Sequence, residues 1–385
     1  MAADREPCIG QGGMIYLDYQ ATTPVAPEVN HAMQPWIAEK FANPHSPSRW
    51  GNEAEAAIEV ARKQVETALG FKGGSIAFTG SATEALNWAL KGTVEKAPKG
   101  RNRIITVATE HAAVLDTCEW LADQGIDLTV LPVEPDGRLD LELLARELDE
   151  RVLLVTVMQV NNEIGVTQPI SEIANMAHEC GALMLCDSVQ AFGRMEICKG
   201  PDLVAMSAHK IYGPKAVGAL WMRKGAEPAP FIHGGGQERG LRSGTLSPAL
   251  CVGFGAAAKL ADERQTRDYD HVQRLWRTAI QALGPDWTIN GSVAHRYHGN
   301  LNIRRKGIDA ARLLAELRDI AFSLGSACAS GSGRPSHVLR ALGLDYRQSR
   351  SCIRLGFGRY TTQQELVDAC GRIAAHARTQ EKLSA

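Results

Sequence analysis

Short apolar runs without a helical period recur along the chain, and each runs straight into small or hydrogen-bonding residues. Ile76-Ala77-Phe78 leads into Thr79-Gly80-Ser81-Ala82-Thr83-Glu84, and Arg103 to Val107 leads into Thr109-Glu110-His111. Val152 to Met158 leads into Asn161-Asn162-Glu163-Ile164-Gly165, Ala182 to Cys186 into Asp187-Ser188-Val189-Gln190, and Asp202 to Ser207 into Ala208-His209-Lys210. Bounded by turn signals, such runs predict strands buried on both faces. Helical spacing appears between Glu53 and Leu69, where Ile58, Ala61, Val65 and Leu69 share a face; further helices are expected from Glu84 to about Lys91 and from His111 through Leu121. Met14 to Asp18 reads as a short opening strand and Asn43-Pro44-His45-Ser46-Pro47 as a loop. The alternation predicts an α/β fold, a mainly parallel sheet covered by helices on both faces. From about Arg264 the pattern turns to a charged helix followed by mixed strands and helices. The expected organisation is therefore an N-terminal segment 1–15, a large domain 16–260 and a smaller α+β domain 261–385.

In parallel sheets ligands gather at the carboxyl ends of the strands. Thr83, His111, Asn162, Asp187, Gln190, Ser207, His209 and Lys210 all follow a predicted strand. Among them Lys210 is the strongest chemical signal. An amine beside other cationic groups in a partly dry pocket moves toward its neutral, nucleophilic form, so Lys210 reads as a Schiff-base former. The electron sink that proteins most often attach to such a lysine is pyridoxal phosphate, which needs an anion site and a carboxylate for its ring nitrogen. Gly80-Ser81-Ala82-Thr83-Glu84 opens a helix whose N–H groups and hydroxyls suit a phosphate, although Ser and Thr there also serve as plain caps. Asp187 leaves an apolar strand and suits the ring nitrogen. Gln190 and Asn162 could reach the ring oxygen, and His111 could stack on the ring and move protons.

Composition narrows the alternatives. With 44% apolar and 22% charged residues the 385-residue chain can fill a large core, and a net charge of −1 without a basic block argues against nucleic acid as a partner. The chain has no apolar run of membrane-spanning length and no signal-peptide core, so a cytoplasmic protein is expected. Nine cysteines without a Cys-x-x-Cys pair fit a reducing compartment and outline no metal site. One of them, Cys328, sits in Ser323 to Pro335, a stretch of small residues and glycines that predicts an exposed loop and a thiol free for chemistry. His233 to Gln237 and Arg242-Ser243-Gly244-Thr245 form a glycine-rich loop able to approach an anion. Arg354, on a predicted strand, offers a fork of donors for a carboxylate.

Taken together these motifs resemble the cysteine desulfurases, fold-type I pyridoxal phosphate enzymes of the class V aminotransferase group. The likeness runs from Tyr16-Leu17-Asp18 and Thr22-Thr23-Pro24 through Thr83-Glu84, Thr109-Glu110-His111, Asn161 to Gly165, Ser207-Ala208-His209-Lys210 and Arg239 to Thr245, to Gly325-Ser326-Ala327-Cys328. The long loop around Cys328 is similar to the branch serving iron–sulfur cluster assembly or nitrogen fixation. The resemblance implies that Lys210 carries the coenzyme and that Ala82, Thr83, Ser207 and His209 hold its phosphate, joined by Thr245 from the other subunit of a homodimer. It implies Asp187 at the ring nitrogen, Gln190 and Asn162 at the ring oxygen, His111 on the ring face, and Arg354 with Asn162 at the substrate carboxylate. L-cysteine would lose its sulfur to Cys328 as a persulfide and leave as alanine, the sulfur passing to a cluster scaffold protein or another thiol acceptor; Cys328 could also ligate a cluster within such a complex. The loop after Asn43-Pro44 departs from the family pattern, with Ser48-Arg49 where a histidine is common. A selenocysteine lyase or an aminotransferase on the same scaffold is the enzymatic alternative, and a cofactor-free scaffold protein the non-enzymatic one.

Overall fold

The computed structural model describes residues 13–324 and 336–384, so Cys328 lies outside the described residues. The first strand, β1 (Ile15–Tyr16), is shorter than the expected Met14 to Asp18. A seven-stranded sheet follows, made of β2 (Gly74–Thr79), β3 (Arg103–Val107), β4 (Asp127–Leu131), β5 (Val152–Thr156), β6 (Leu183–Asp187), β7 (Leu203–Ser207) and β8 (Gly218–Arg223). Its order is β2-β8-β7-β6-β5-β3-β4. Every pair is parallel except the two flanking β8, which runs antiparallel to both β2 and β7. Strands β5 and β7 are buried at every position, as a strand covered by helices on both faces must be.

Sequence patterning missed β4 and β8. The first is an edge strand with one buried residue in five, so its apolar content is diluted. The second follows the polar Gly213-Pro214 turn so closely that the turn signal masks it.

Seven helices pack around this sheet: α1 (Pro27–Ala38), α2 (Arg49–Leu69), α3 (Ala82–Glu95), α4 (Ala112–Asp123), α5 (Leu141–Glu147), α6 (Ile170–Glu179) and α7 (Pro248–Leu283). Helix α2 begins at Arg49 rather than Glu53 because the Ser48 hydroxyl accepts the Gly51 N–H, and it stops at Gly70, whose φ of 68° is left-handed. Helix α3 continues past Lys91 to Glu95. Helix α7 is 36 residues long, and the boundary expected at 260/261 falls inside it. It lies against α2 where Gly255 meets Ala61: a Cβ on Gly255 would stand 2.5 Å from the Ala61 Cα.

Beyond α7 come β9 (Thr288–Ile289), β10 (Asn300–Arg304), β11 (Ile320–Ala321), β12 (Ser323–Leu324) and β13 (Cys352–Gly356). Four of them form an antiparallel sheet ordered β12-β13-β10-β9, while β11 pairs in parallel with β1. One apolar cluster joins Ile15 and Leu17 to Phe78 and Val204 under the large sheet and to Leu301, Ile353 and Leu366 of the C-terminal part. No helix among the described residues is long and apolar enough to cross a membrane.

Candidate active site

The carboxyl ends of β3, β5, β6 and β7 and the start of α3 surround a cavity of about 280 Å³. Its lining brings together Ala82, Thr83, His111, Asn162, Asp187, Gln190, Ser207, His209 and Lys210. Residues spread over nearly 130 positions meet because each closes a strand, lies in the segment just beyond one, or opens a helix at the same sheet edge. Of the candidates from sequence, Thr245 is exposed and does not line this cavity, and Arg354 stands just outside it.

Lys210 ends a single 3-10 turn after β7. Its Nζ donates to the carbonyl of Ala21 at 2.8 Å and also to that of Gln20. Burial, reinforced by the cationic Arg194 and Arg354, lowers the amine to about 7, against the weaker opposing pull of Asp18 and Asp187. His209 is lowered to about 4, chiefly by burial and then by Lys210, so it is neutral at physiological pH. Its Nδ1 lies 3.1 Å from the Thr22 hydroxyl.

Asp187, the last residue of β6, is buried, and its Oδ1 accepts the Val189 N–H at 2.9 Å. Among the described residues no side chain donates a hydrogen bond to it. Burial pushes its carboxyl upward, opposed by His111, the Val189 N–H and Lys210. A buried carboxylate facing a cavity with so little compensation calls for a cationic partner. At the opposite wall, Ser81 caps α3 by accepting the Glu84 N–H at 3.1 Å, which leaves the N–H groups of Ala82 and Thr83 at the positive end of a 14-residue helix. Gly218 of β8 lies directly beneath: a Cβ there would stand 2.7 Å from the Ala82 nitrogen. The cradle thus needs glycine. A ring cation at Asp187, a phosphate at the α3 terminus and an aldehyde within reach of Lys210 are the three features of pyridoxal phosphate, and these residues fit it.

The remaining positions are fixed by the backbone around them. The His111 Nδ1 accepts the Ala113 N–H at 3.0 Å, capping α4 and leaving Nε2 to carry the ring proton. The Asn162 carbonyl accepts from Asn300 Nδ2 and Arg354 Nη1, each at 3.1 Å, which holds its side chain at the cavity. Gln190 donates one N–H to the Gln20 carbonyl at 3.0 Å and accepts from Arg194, which leaves its second N–H for the cavity.

Three residues of this neighbourhood escaped sequence reasoning. Arg194 bridges Gln190, the Lys210 carbonyl and the Tyr19 carbonyl. Only its spacing four residues after Gln190 hinted at it. Glu110, beside His111, has no exposed surface; its Oε1 accepts the Met158 N–H at 2.6 Å, and burial with Asp187 nearby raises it well above the carboxylate range. Asp18 pairs with Arg354 at 2.7 Å. The Asn43 to Pro47 loop does not reach the cavity: Pro44 and His45 line a separate hollow beside Arg62 and Glu238.

Residues 15–369 match the family model described as aminotransferase class-V. The chain is 44% identical over 361 residues to the cysteine desulfurase IscS of Rickettsia bellii (strain OSU 85-389), a span covering 91% of this chain and 88% of that one. Among solved structures, a NifS-like protein superposes with a TM-score of 0.87 at 33% identity, covering 96% of this chain and 99% of that one. SspA, solved in complex with cysteine, superposes with a TM-score of 0.80 at 34% identity, over 90% of this chain and 99% of its own. A family match spanning nearly the whole chain, a relative of similar extent at this identity and a cavity suited to the coenzyme lead to one conclusion: the chain belongs to the aminotransferase class-V family and is a pyridoxal phosphate-dependent cysteine desulfurase.

Proposed function

We propose that this desulfurase takes the sulfur of L-cysteine onto Cys328 and releases L-alanine, with Lys210 as the coenzyme-bearing nucleophile. The observation that carries the reading is the amine of Lys210, lowered to about 7 in the cavity that also holds the buried Asp187. Pyridoxal phosphate, when bound, supplies an electrophilic carbon and a ring that accepts electrons from the substrate. Asp187 would hold the ring nitrogen protonated, which would keep that ring electron-poor. The N–H groups of Ala82 and Thr83, the hydroxyls of Thr83 and Ser207, and His209 would hold the phosphate; a neutral His209 can donate one hydrogen bond without adding charge. Gln190 and Asn162 would serve the ring oxygen.

Arg354, with the side chain of Asn162, takes the substrate carboxylate and orients the α-carbon toward Lys210 and His111. Lys210, as the neutral amine, would remove the α-proton, and His111, as the Nε2–H tautomer, would lie against the coenzyme ring and could return a proton. The Cys328 thiolate attacks the sulfur of the bound cysteine. The Cβ–S bond breaks with its electron pair remaining on carbon, a proton adds there, and Cys328 keeps the sulfur as a persulfide while alanine departs. The finding of cysteine in SspA supports the substrate class.

Thr245, exposed at the end of the glycine-rich loop and away from its own cavity, suits the phosphate site of a partner subunit in a homodimer. The sulfur then passes to a cluster scaffold protein or another thiol acceptor. A reducing cytoplasm fits the described cysteines, all of which are free thiols. Replacing Cys328 with Ser is the decisive test: coenzyme absorbance is retained while alanine formation from cysteine stops. Undiminished alanine formation overturns the reading.

A further inference from the structure

Arg354 already has an anion before any substrate arrives. Its Nη2 donates to Asp18 Oδ1 at 2.7 Å and to the Ser323 hydroxyl at 2.8 Å, and its Nη1 donates to the Asn162 carbonyl at 3.1 Å. Ser323 in turn donates to Asp18 Oδ1 at 2.8 Å, which closes a triangle. The backbone fixes its corners: Ser323 stands opposite Arg354 in the β12–β13 register, and Asp18 forms a β-bridge with Gly356, two residues beyond Arg354. The side chains of Arg354 and Asp18 are only 11% and 19% exposed, so solvent screens the pair weakly. The Nε of Arg354 is buried without a hydrogen-bond partner among the described residues and is a donor in waiting.

A substrate carboxylate that reaches this guanidinium becomes its second anion. Like charges sharing one cation in a partly dry site repel, so the resident carboxylate lowers the affinity for the incoming one. The same triangle prevents the fork from swinging away, which favours binding.

We propose that Asp18 is a positioning residue that sets the affinity of Arg354 for the substrate carboxylate, holding the fork in one orientation while, as a resident anion, weakening its grip on a second one. The inference rests on the reading that Arg354 binds that carboxylate. Its functional consequence is turnover: alanine carries the same carboxylate as cysteine, and a moderated grip lets the product leave.

The test uses the coenzyme-loaded enzyme and propionate, a carboxylate with no amine, followed by calorimetry, with steady-state kinetics on L-cysteine alongside. Asp18→Asn keeps an oxygen for Arg354 and Ser323 and removes the charge. Propionate then binds about three- to tenfold tighter and the KM for L-cysteine falls by a similar factor, while kcat does not rise. Ser323→Ala keeps the charge and loosens the fork, which weakens propionate and raises KM. Arg354→Lys separates the two ideas. If it abolishes propionate binding while Asp18→Asn leaves the affinity unchanged or weaker, the proposal is wrong and Arg354 keeps its role. If propionate binds Arg354→Lys as it does the parent enzyme, the carboxylate assignment falls and the proposal with it. Should Asp18→Asn not fold, an unchanged propionate affinity in Ser323→Ala overturns the proposal by itself.

Discussion

The amine of Lys210 is subject to opposed influences. Two backbone carbonyls stabilise its charged form, while burial, Arg194 and Arg354 favour the neutral one and prevail. Its folded value of about 7 lies below the ordinary lysine value of 10.5, so between these values the unfolded chain binds the extra proton. Stability of the coenzyme-free protein should therefore rise as pH increases from about 7 toward 10, by up to roughly 1.4 kcal/mol per pH unit. Urea midpoints across that range check this, and Lys210→Ala should remove most of the slope. Asp187→Asn should leave the fold intact and lower turnover by about a hundredfold or more, because a neutral amide cannot hold a ring proton; single-turnover alanine formation measures it. The placement of Lys210, Asp187 and His111 at one sheet edge was legible in the sequence because each lies at the carboxyl end of a strand or within four residues of it. Asp18 and Arg194 were not, since Asp18 gains its meaning from Arg354, which lies 336 positions away, and Arg194 from the Tyr19 carbonyl, 175 away.

At the scale of elements, close approach and buried charge hold the frame. Helices α2 and α7 touch at Gly255 with no room for a β-carbon, so Gly255→Val should destabilise the protein by about 1–3 kcal/mol, read from chemical denaturation. The glycine-rich loop is tied down by Glu238, which accepts two hydrogen bonds from Arg62 and one from the Phe78 N–H. Glu238 and Arg239 both take left-handed backbone angles, with φ of 50° and 59°, and this strain persists because the buried pair overdetermines the turn. Arg62→Met leaves Glu238 buried without its counter-ion and should cost about 3–5 kcal/mol, measured in the same way. Helix α2 could be read from periodicity, and β2, β3, β5, β6 and β7 from short apolar runs. The length of α7 could not, because its solvent-facing middle is rich in charges and carries no sign of an end, so the change of composition near Arg264 marked a shift in exposure within one continuous helix.

For the whole molecule, the large sheet and the C-terminal sheet share a continuous apolar cluster that includes both β1 and β13 residues. Unfolding in urea should accordingly appear as one transition, with tryptophan fluorescence and far-ultraviolet dichroism coincident; two separated transitions would show that the parts fold independently. The α/β class was legible from the alternation of strands and helices. The pairing of β1 with β11 and of Asp18 with Gly356 was not, because a short strand read from sequence does not specify its partner. That joining has a consequence for biosynthesis. Gln20 and Ala21, whose carbonyls receive the Lys210 amine, are held in turn where Gln20 donates to the Gly299 carbonyl and Asp18 meets Gly356 and Arg354. A nascent chain can lay down the sheet early, yet the segment that receives its lysine lacks these contacts until residues near 356 have emerged from the ribosome, so the lysine's final setting follows the emergence of the C-terminal sheet.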